Sequence, residues 1–214
     1  MSLRTRRPTR SFRGSQTMRF RLFGTEIYVS FLFFAIITVM LASDRTGLCL
    51  PTVCAAAFHE AGHLFAMWIC DCQPKSIRLV PASVSIISGF PRKKYGELFI
   101  ALAGPLFNIA LFASLFINYK LTASNISFEY GIINLIIAAF NLLPVKGLDG
   151  GTVTTVLIEK GTKSREKAES VTKIVSVLTG LIILFFGVFL ILRGKINVSV
   201  IIMGIYILIC SFLR

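Results

Sequence analysis

The chain contains two histidines and no others, four residues apart in Phe58-His59-Glu60-Ala61-Gly62-His63-Leu64. On an α-helix, residues at i and i+4 share a face with their side chains about 5 to 6 Å apart, close enough to chelate one ion. Glu60 is turned about 100° from His59, so its carboxylate is placed to act on a water beside the metal as a general base, rather than as a third ligand from the same turn. This is the HExxH pattern of metal-assisted hydrolysis. The competing reading, a polar patch whose histidines bond to nearby backbone, is costly in a segment this apolar.

A catalytic metal also needs a third protein ligand and an open position. Asp149 is the acidic candidate, in Asn141-Leu142-Leu143-Pro144-Val145-Lys146-Gly147-Leu148-Asp149-Gly150-Gly151. Pro144 and Gly147 should interrupt the surrounding apolar run, and the glycines permit close backbone approach. The break is expected to carry the carboxylate to the metal, and an aspartate in this setting also suits a helix N-cap; the two roles are compatible. Lys146 either snorkels towards water or stands at the mouth of the site, and Asn141 is placed to reach a substrate. Ala103-Gly104-Pro105-Leu106-Phe107-Asn108 reads as close helix packing, with the Asn108 amide satisfied by a neighbour. Cys70 and Cys72 have no nearby thiol or histidine to complete a metal site, and the five cysteines imply no disulfide framework.

The elements that must position these residues are apolar. Of 214 residues 55% are hydrophobic and 15% charged, with a mean hydropathy of +0.76, which excludes a water-soluble enzyme and a disordered chain. Six apolar segments are long enough for membrane helices: Ile27 to Ser43, Gly47 to Cys70, Leu98 to Tyr119, Gly131 to Ile158 with an interruption, Val171 to Leu192, and Ile196 to Leu213. The net charge of +13 sits in the short segments between them. Eighteen lysines and arginines fall on the side of the amino terminus against four on the other, which predicts both termini in the cytoplasm of a multi-pass cell-membrane protein and argues against nucleic-acid binding. Residues 80–90 include Ser83-Val84-Ser85-Ile86, alternating polar and apolar between Pro81 and Gly89, a strand signature. The expected fold is therefore an all-α polytopic membrane protein of about six transmembrane helices, with a short membrane-associated β-hairpin between helices 2 and 3. Its expected organisation is a basic cytoplasmic tail over 1–22, a four-span core over 23–159, and two further spans over 160–214.

His59-Glu60-Ala61-Gly62-His63, Ala103-Gly104-Pro105-Leu106-Phe107-Asn108, and Asn141-Leu142-Leu143-Pro144 leading to Leu148-Asp149-Gly150-Gly151 together resemble the site-2 protease family of intramembrane zinc metalloproteases. The resemblance covers about residues 18–159, and the short form is similar to the bacterial branch that processes a sporulation sigma-factor precursor. It implies one zinc ion per chain held by His59, His63 and Asp149. It also implies that Glu60 activates water, that Asn141 sits near the scissile bond, and that the chain is a zinc metalloendopeptidase acting on a membrane-tethered protein substrate. The lipid bilayer and a membrane-protein regulator are the other expected partners. Two departures from the family pattern stand out: Lys146-Gly147 where proline often precedes Leu-Asp-Gly, and the absence of PDZ-like or CBS-like domains. The strand around Val84, Ser85 and Ile86 is expected to grip an extended substrate by adding it as a further strand. The alternatives are a divalent-cation transporter and an inactive metal-binding membrane scaffold.

Overall fold

The structure is a computed structural model that describes residues 17–22, 25–72, 74–80, 83–88, 96–193 and 198–213. The chain divides into two units, one of residues 1–44 and 74–88, the other of residues 45–73 and 89–214.

The first unit is a small sheet followed by a helix. β1 (Thr17–Leu22) and β2 (Thr25–Ser30) pair antiparallel, β2 pairs parallel with β3 (Pro74–Val80), and β3 pairs antiparallel with β4 (Ser83–Ser88), giving the order β1-β2-β3-β4. The expected strand at Ser83-Val84-Ser85-Ile86 is β4, in register with Leu79, Arg78 and Ile77 opposite Val84, Ser85 and Ile86.

One expectation is corrected. The fold is not all-α, because a second hairpin precedes the first helix, occupying Thr17–Leu22 of the expected tail and the first residues of the expected first span. Met18-Arg19-Phe20-Arg21-Leu22 alternates apolar and polar with the strand period of two, and Glu26 to Val29 is rich in β-formers. Arg19 and Tyr28 both donate to the Glu26 carboxylate, at 2.5 and 2.7 Å. The Tyr28 hydroxyl and the Arg19 guanidinium hold that carboxyl below its ordinary pKa. α1 (Phe31–Ser43) is apolar throughout and buries none of its residues.

The second unit holds α2 (Cys49–Ile69), α3 (Gly96–Thr122), α4 (Asn125–Asn141), α5 (Asp149–Thr162), α6 (Arg165–Leu192) and α7 (Val198–Leu213). The expected fourth span is two helices, α4 and α5, separated by residues 142–148, as Pro144 and Gly147 require; Gly147 adopts φ +105°, a conformation that favours glycine. α3 is the hub and packs on α2, α4 and α5, while α6 packs on α5 and α7. α3 and α6 are each long and apolar enough to cross a membrane, and α1 and α7 are shorter apolar helices.

Small residues set the distances. A Cβ added to Gly62 of α2 would lie 2.8 Å from the Ala103 carbonyl oxygen of α3, and one on Gly204 of α7 would lie 3.0 Å from the Leu184 backbone of α6. Side chains there would push the helix axes apart, and dispersion between closely apposed backbones is a main attraction available in lipid. At one end of the bundle Arg165 forms ion pairs with Glu97, Glu159 and Glu169 at 2.9, 2.9 and 3.3 Å, tying the ends of α3, α5 and α6.

Candidate metal centre

α2 buries Ala55, His59, Gly62, His63 and Ala66 on one face, the spacing that a 3.6-residue turn gives, and that face meets α3. Each histidine is held through Nδ1. His59 Nδ1 lies 2.8 Å from Asn108 Oδ1, and His63 Nδ1 lies 2.7 Å from the Ile100 carbonyl oxygen. Oxygens of these kinds only accept, so the proton of each ring belongs on Nδ1 and the lone pair on Nε2. The Asn108 amide is itself fixed. It is completely buried, and its Nδ2 donates to the Ala55 carbonyl at 3.1 Å and to Asn134 Oδ1 at 2.9 Å. Asn134 Nδ2 in turn donates to the Tyr130 carbonyl, so an ordered chain of amides runs from α4 through α3 to the ring of His59.

Asp149 arrives from the break between α4 and α5. Leu148, not Asp149, occupies the N-cap position, and no side chain caps this helix. The capping reading of Asp149 is therefore set aside, and the carboxylate points at the histidines. The break is tightly folded: Val145 N–H donates to the Leu143 carbonyl at 2.7 Å, Leu148 N–H donates to the Val145 carbonyl at 3.0 Å, and Val145 is buried. A Cβ on Gly150 would lie 2.2 Å from the Leu142 carbonyl oxygen, and one on Gly151 would lie 2.1 Å from that of Val145. Only glycine at both positions lets the loop close over the first turn of α5, and that closure sets the position of Asp149.

The three donor atoms form a small triangle. Its edges are 3.2 Å between the two Nε2 atoms, 2.9 Å from His59 Nε2 to Asp149 Oδ2, and 3.3 Å from His63 Nε2 to the same oxygen. Three lone-pair-bearing atoms at these separations repel one another unless they share a cation. Ligands 2.0–2.1 Å from a tetrahedral zinc ion are separated by about 3.3 Å, and two imidazoles with one carboxylate make a common catalytic zinc set. The residues thus fit zinc. Among the described residues this is the one cluster of three or more His, Cys, Asp or Glu side chains able to hold a metal ion. The Asp149 side chain keeps 20% exposure while the histidines keep 5% and 10%, so the carboxylate is the most exposed of the three.

The model of peptidase family M50 matches residues 117–186, which include the Asp149 segment. A zinc metalloprotease of Methanocaldococcus jannaschii is 25% identical over 184 residues, covering 78% of this chain and 52% of that protein. The chain is thus similar to peptidase family M50 over the segment that carries Asp149, and to a zinc metalloprotease over most of its length. A solved structure of the site-2 protease from the same organism matches with a TM-score of 0.67 at 22% identity, covering 91% of this chain and 93% of that one; that likeness bears on the fold. The chain spans about half the length of the curated relative.

Glu60 is half-buried one residue after His59 on α2. Asn141 ends α4, and its Nδ2 donates to the Ile137 carbonyl at 3.0 Å within its own helix. Lys146 gives its backbone N–H to Ser176 Oγ at 2.8 Å. Val84, Ser85 and Ile86 lie in β4, at one end of the strand order.

Three contributors were not legible as such. The Asn108 amide does have the expected neighbour, but that neighbour is His59. Asn134 carried one signal, an amide set between Ile133 and Leu135 in α4. Gly104 is the third: a Cβ there would lie 2.4 Å from His63 Nε2 and 2.8 Å from His59 Nε2.

Proposed function

We propose that the chain is an intramembrane zinc endopeptidase that hydrolyses a peptide bond in or next to the transmembrane segment of a membrane-tethered protein. The observation that carries this reading is the triangle of His59 Nε2, His63 Nε2 and Asp149 Oδ2 with its tautomers fixed from behind. His59, His63 and Asp149 would hold the ion, which when bound supplies Lewis-acid polarisation and makes water acidic enough to ionise near neutral pH.

The chain's own residues do the rest. The Glu60 carboxylate takes a proton from the attacking water as the new C–O bond forms, and returns it to the amide nitrogen as the C–N bond breaks. Asn108 and the Ile100 carbonyl keep both imidazoles in the tautomer that presents Nε2. Asn141, at the end of α4, is assigned to the substrate backbone near the scissile bond.

A substrate helix must unwind before it can be cut, and its freed backbone groups need partners in lipid. β4 is an edge strand in the described sheet, and its unpaired N–H and C=O groups suit addition of the substrate as a fifth strand. The multi-pass topology with both termini in the cytoplasm, and release of a tethered regulator such as a sigma-factor precursor, belong to this same proposal. Cation transport, the alternative, would call for polar groups strung along a path; His59 and His63 of α2 and Asp149 of α5 instead meet at one point.

The test is cleavage of a membrane-tethered reporter by the detergent-purified protein. Zinc-dependent, chelator-sensitive cleavage that Glu60→Gln abolishes is expected. Cleavage by the chelated protein, or by Glu60→Gln at the wild-type rate, overturns the proposal.

A further inference from the structure

α6 contributes no ligand, yet its buried hydroxyls face the segment that delivers Asp149. Ser176 is completely buried, and its Oγ accepts the Lys146 backbone N–H at 2.8 Å. The hydroxyl proton goes back to the Thr172 carbonyl one turn earlier at 2.7 Å, with the Pro144 carbonyl more distant at 3.3 Å. One turn along the same face, the Thr172 and Thr155 hydroxyls are hydrogen-bonded at 2.9 Å, joining α6 to α5. Thr155 Oγ1 also reaches the Gly151 carbonyl at 2.8 Å, in the first turn of α5 that begins with Asp149. Two hydroxyls of α6 thus bracket the metal-binding aspartate, one on the loop before it and one on the helix after it.

We infer that Ser176, with Thr172 behind it, is a positioning residue for the metal centre. It fixes Lys146 three residues before Asp149, so that the carboxylate oxygen stands at the apex of the histidine pair. This inference rests on the proposed zinc site. It extends the site machinery to α6, a helix that supplies none of the three ligands. The physical reason is the closure of the break: the Val145 N–H is satisfied by the Leu143 carbonyl and the Leu148 N–H by that of Val145, both within the loop, whereas Lys146 N–H is satisfied from α6. A part-buried N–H that loses its acceptor must move or remain unpaired, and movement there is transmitted directly to Asp149.

The experiment uses full-length protein in detergent, with zinc affinity measured by chelator competition and the visible spectrum recorded on the cobalt(II)-substituted form. Ser176→Ala is expected to weaken zinc binding by about 10-fold, the lower end of what loss of an outer partner costs a metal site, and to alter the cobalt bands. Thr179→Ala is the control. It removes a hydroxyl from the same helix that bonds only back to the Val175 carbonyl at 2.9 Å, and it should leave both readouts unchanged. Ser176→Cys, similar in size and a much weaker acceptor, is the second variant should Ser176→Ala not fold, with a loss in the same direction. Wild-type affinity and spectrum in the Ser176 variants overturn the inference while leaving the zinc site standing. A wild-type protein that binds no stoichiometric zinc removes the site itself, and the inference with it.

Discussion

Gly104→Ala is a one-methyl change that should disable the metal centre from behind. The new Cβ would lie 2.4 Å from His63 Nε2, 2.7 Å from its Cε1 and 2.8 Å from His59 Nε2, where ordinary contacts begin at 3.4 Å. Something must therefore give by about 1 Å. The imidazoles cannot swing aside cheaply, because each is pinned at Nδ1, by Asn108 and by the Ile100 carbonyl, and both are buried. The alternative is for α3 to back away from α2, which Gly62 against the Ala103 carbonyl shows to be packed without slack. Overpacking of this kind costs about 1–3 kcal/mol. Taken wholly from the metal complex, that corresponds to roughly 5- to 150-fold in affinity, since about 1.4 kcal/mol is tenfold. Zinc competition against a chromophoric chelator is the assay, with Gly161→Ala beside it. A Cβ on Gly161 meets nothing within 4 Å, so that change should keep wild-type affinity and stabilise α5 by up to about 1 kcal/mol through helix propensity. Wild-type zinc affinity in Gly104→Ala would refute the packing argument.

Four further outcomes follow from the same geometry. Glu60→Gln should lose cleavage by at least about 100-fold while metal analysis still finds wild-type zinc; loss of zinc in step with activity would make Glu60 a ligand. Asp149→Asn should weaken zinc binding along with activity, since an amide is a poorer donor than a carboxylate, and unchanged occupancy in metal analysis would remove it from the ligand set. Asn108→Ala strips the acceptor from His59 Nδ1, so zinc affinity measured by chelator competition should fall about 10- to 100-fold, with Asn108→Asp retaining more of it because the acceptor survives. Single prolines through Ser83–Ser88 should abolish reporter cleavage at alternate positions, those whose N–H faces away from β3, with zinc content intact; full activity at every position would exclude strand addition at β4.

The histidine pair was legible because the spacing i, i+4 is a complete geometric statement once a helix is granted, and the apolar run around it grants the helix. Asp149 was legible by scarcity, as the acidic residue in the apolar break, and the structure adds why it is not a cap: the turn at Gly147 leaves the N-cap to Leu148. Asn108 could be read only as a buried amide, since an amide bonding to backbone and one orienting a ligand look the same in sequence. Gly104 and Ser176 depend on where two helices meet, and no local pattern encodes that. The first hairpin was hidden by composition. Arginines at 19 and 21 read as a cytoplasmic tail, while the period-two alternation with Met18, Phe20 and Leu22 marked a strand.

X-ray absorption at the zinc edge of the purified Glu60→Gln protein tests the central claim most directly, because it reads the ligands without requiring turnover. The account predicts one zinc per chain with a nitrogen and oxygen shell at about 2.0–2.1 Å, two imidazoles in that shell, and no sulfur. A sulfur shell near 2.3 Å, as Cys70 and Cys72 would give, or a protein that retains no zinc at all, would contradict it.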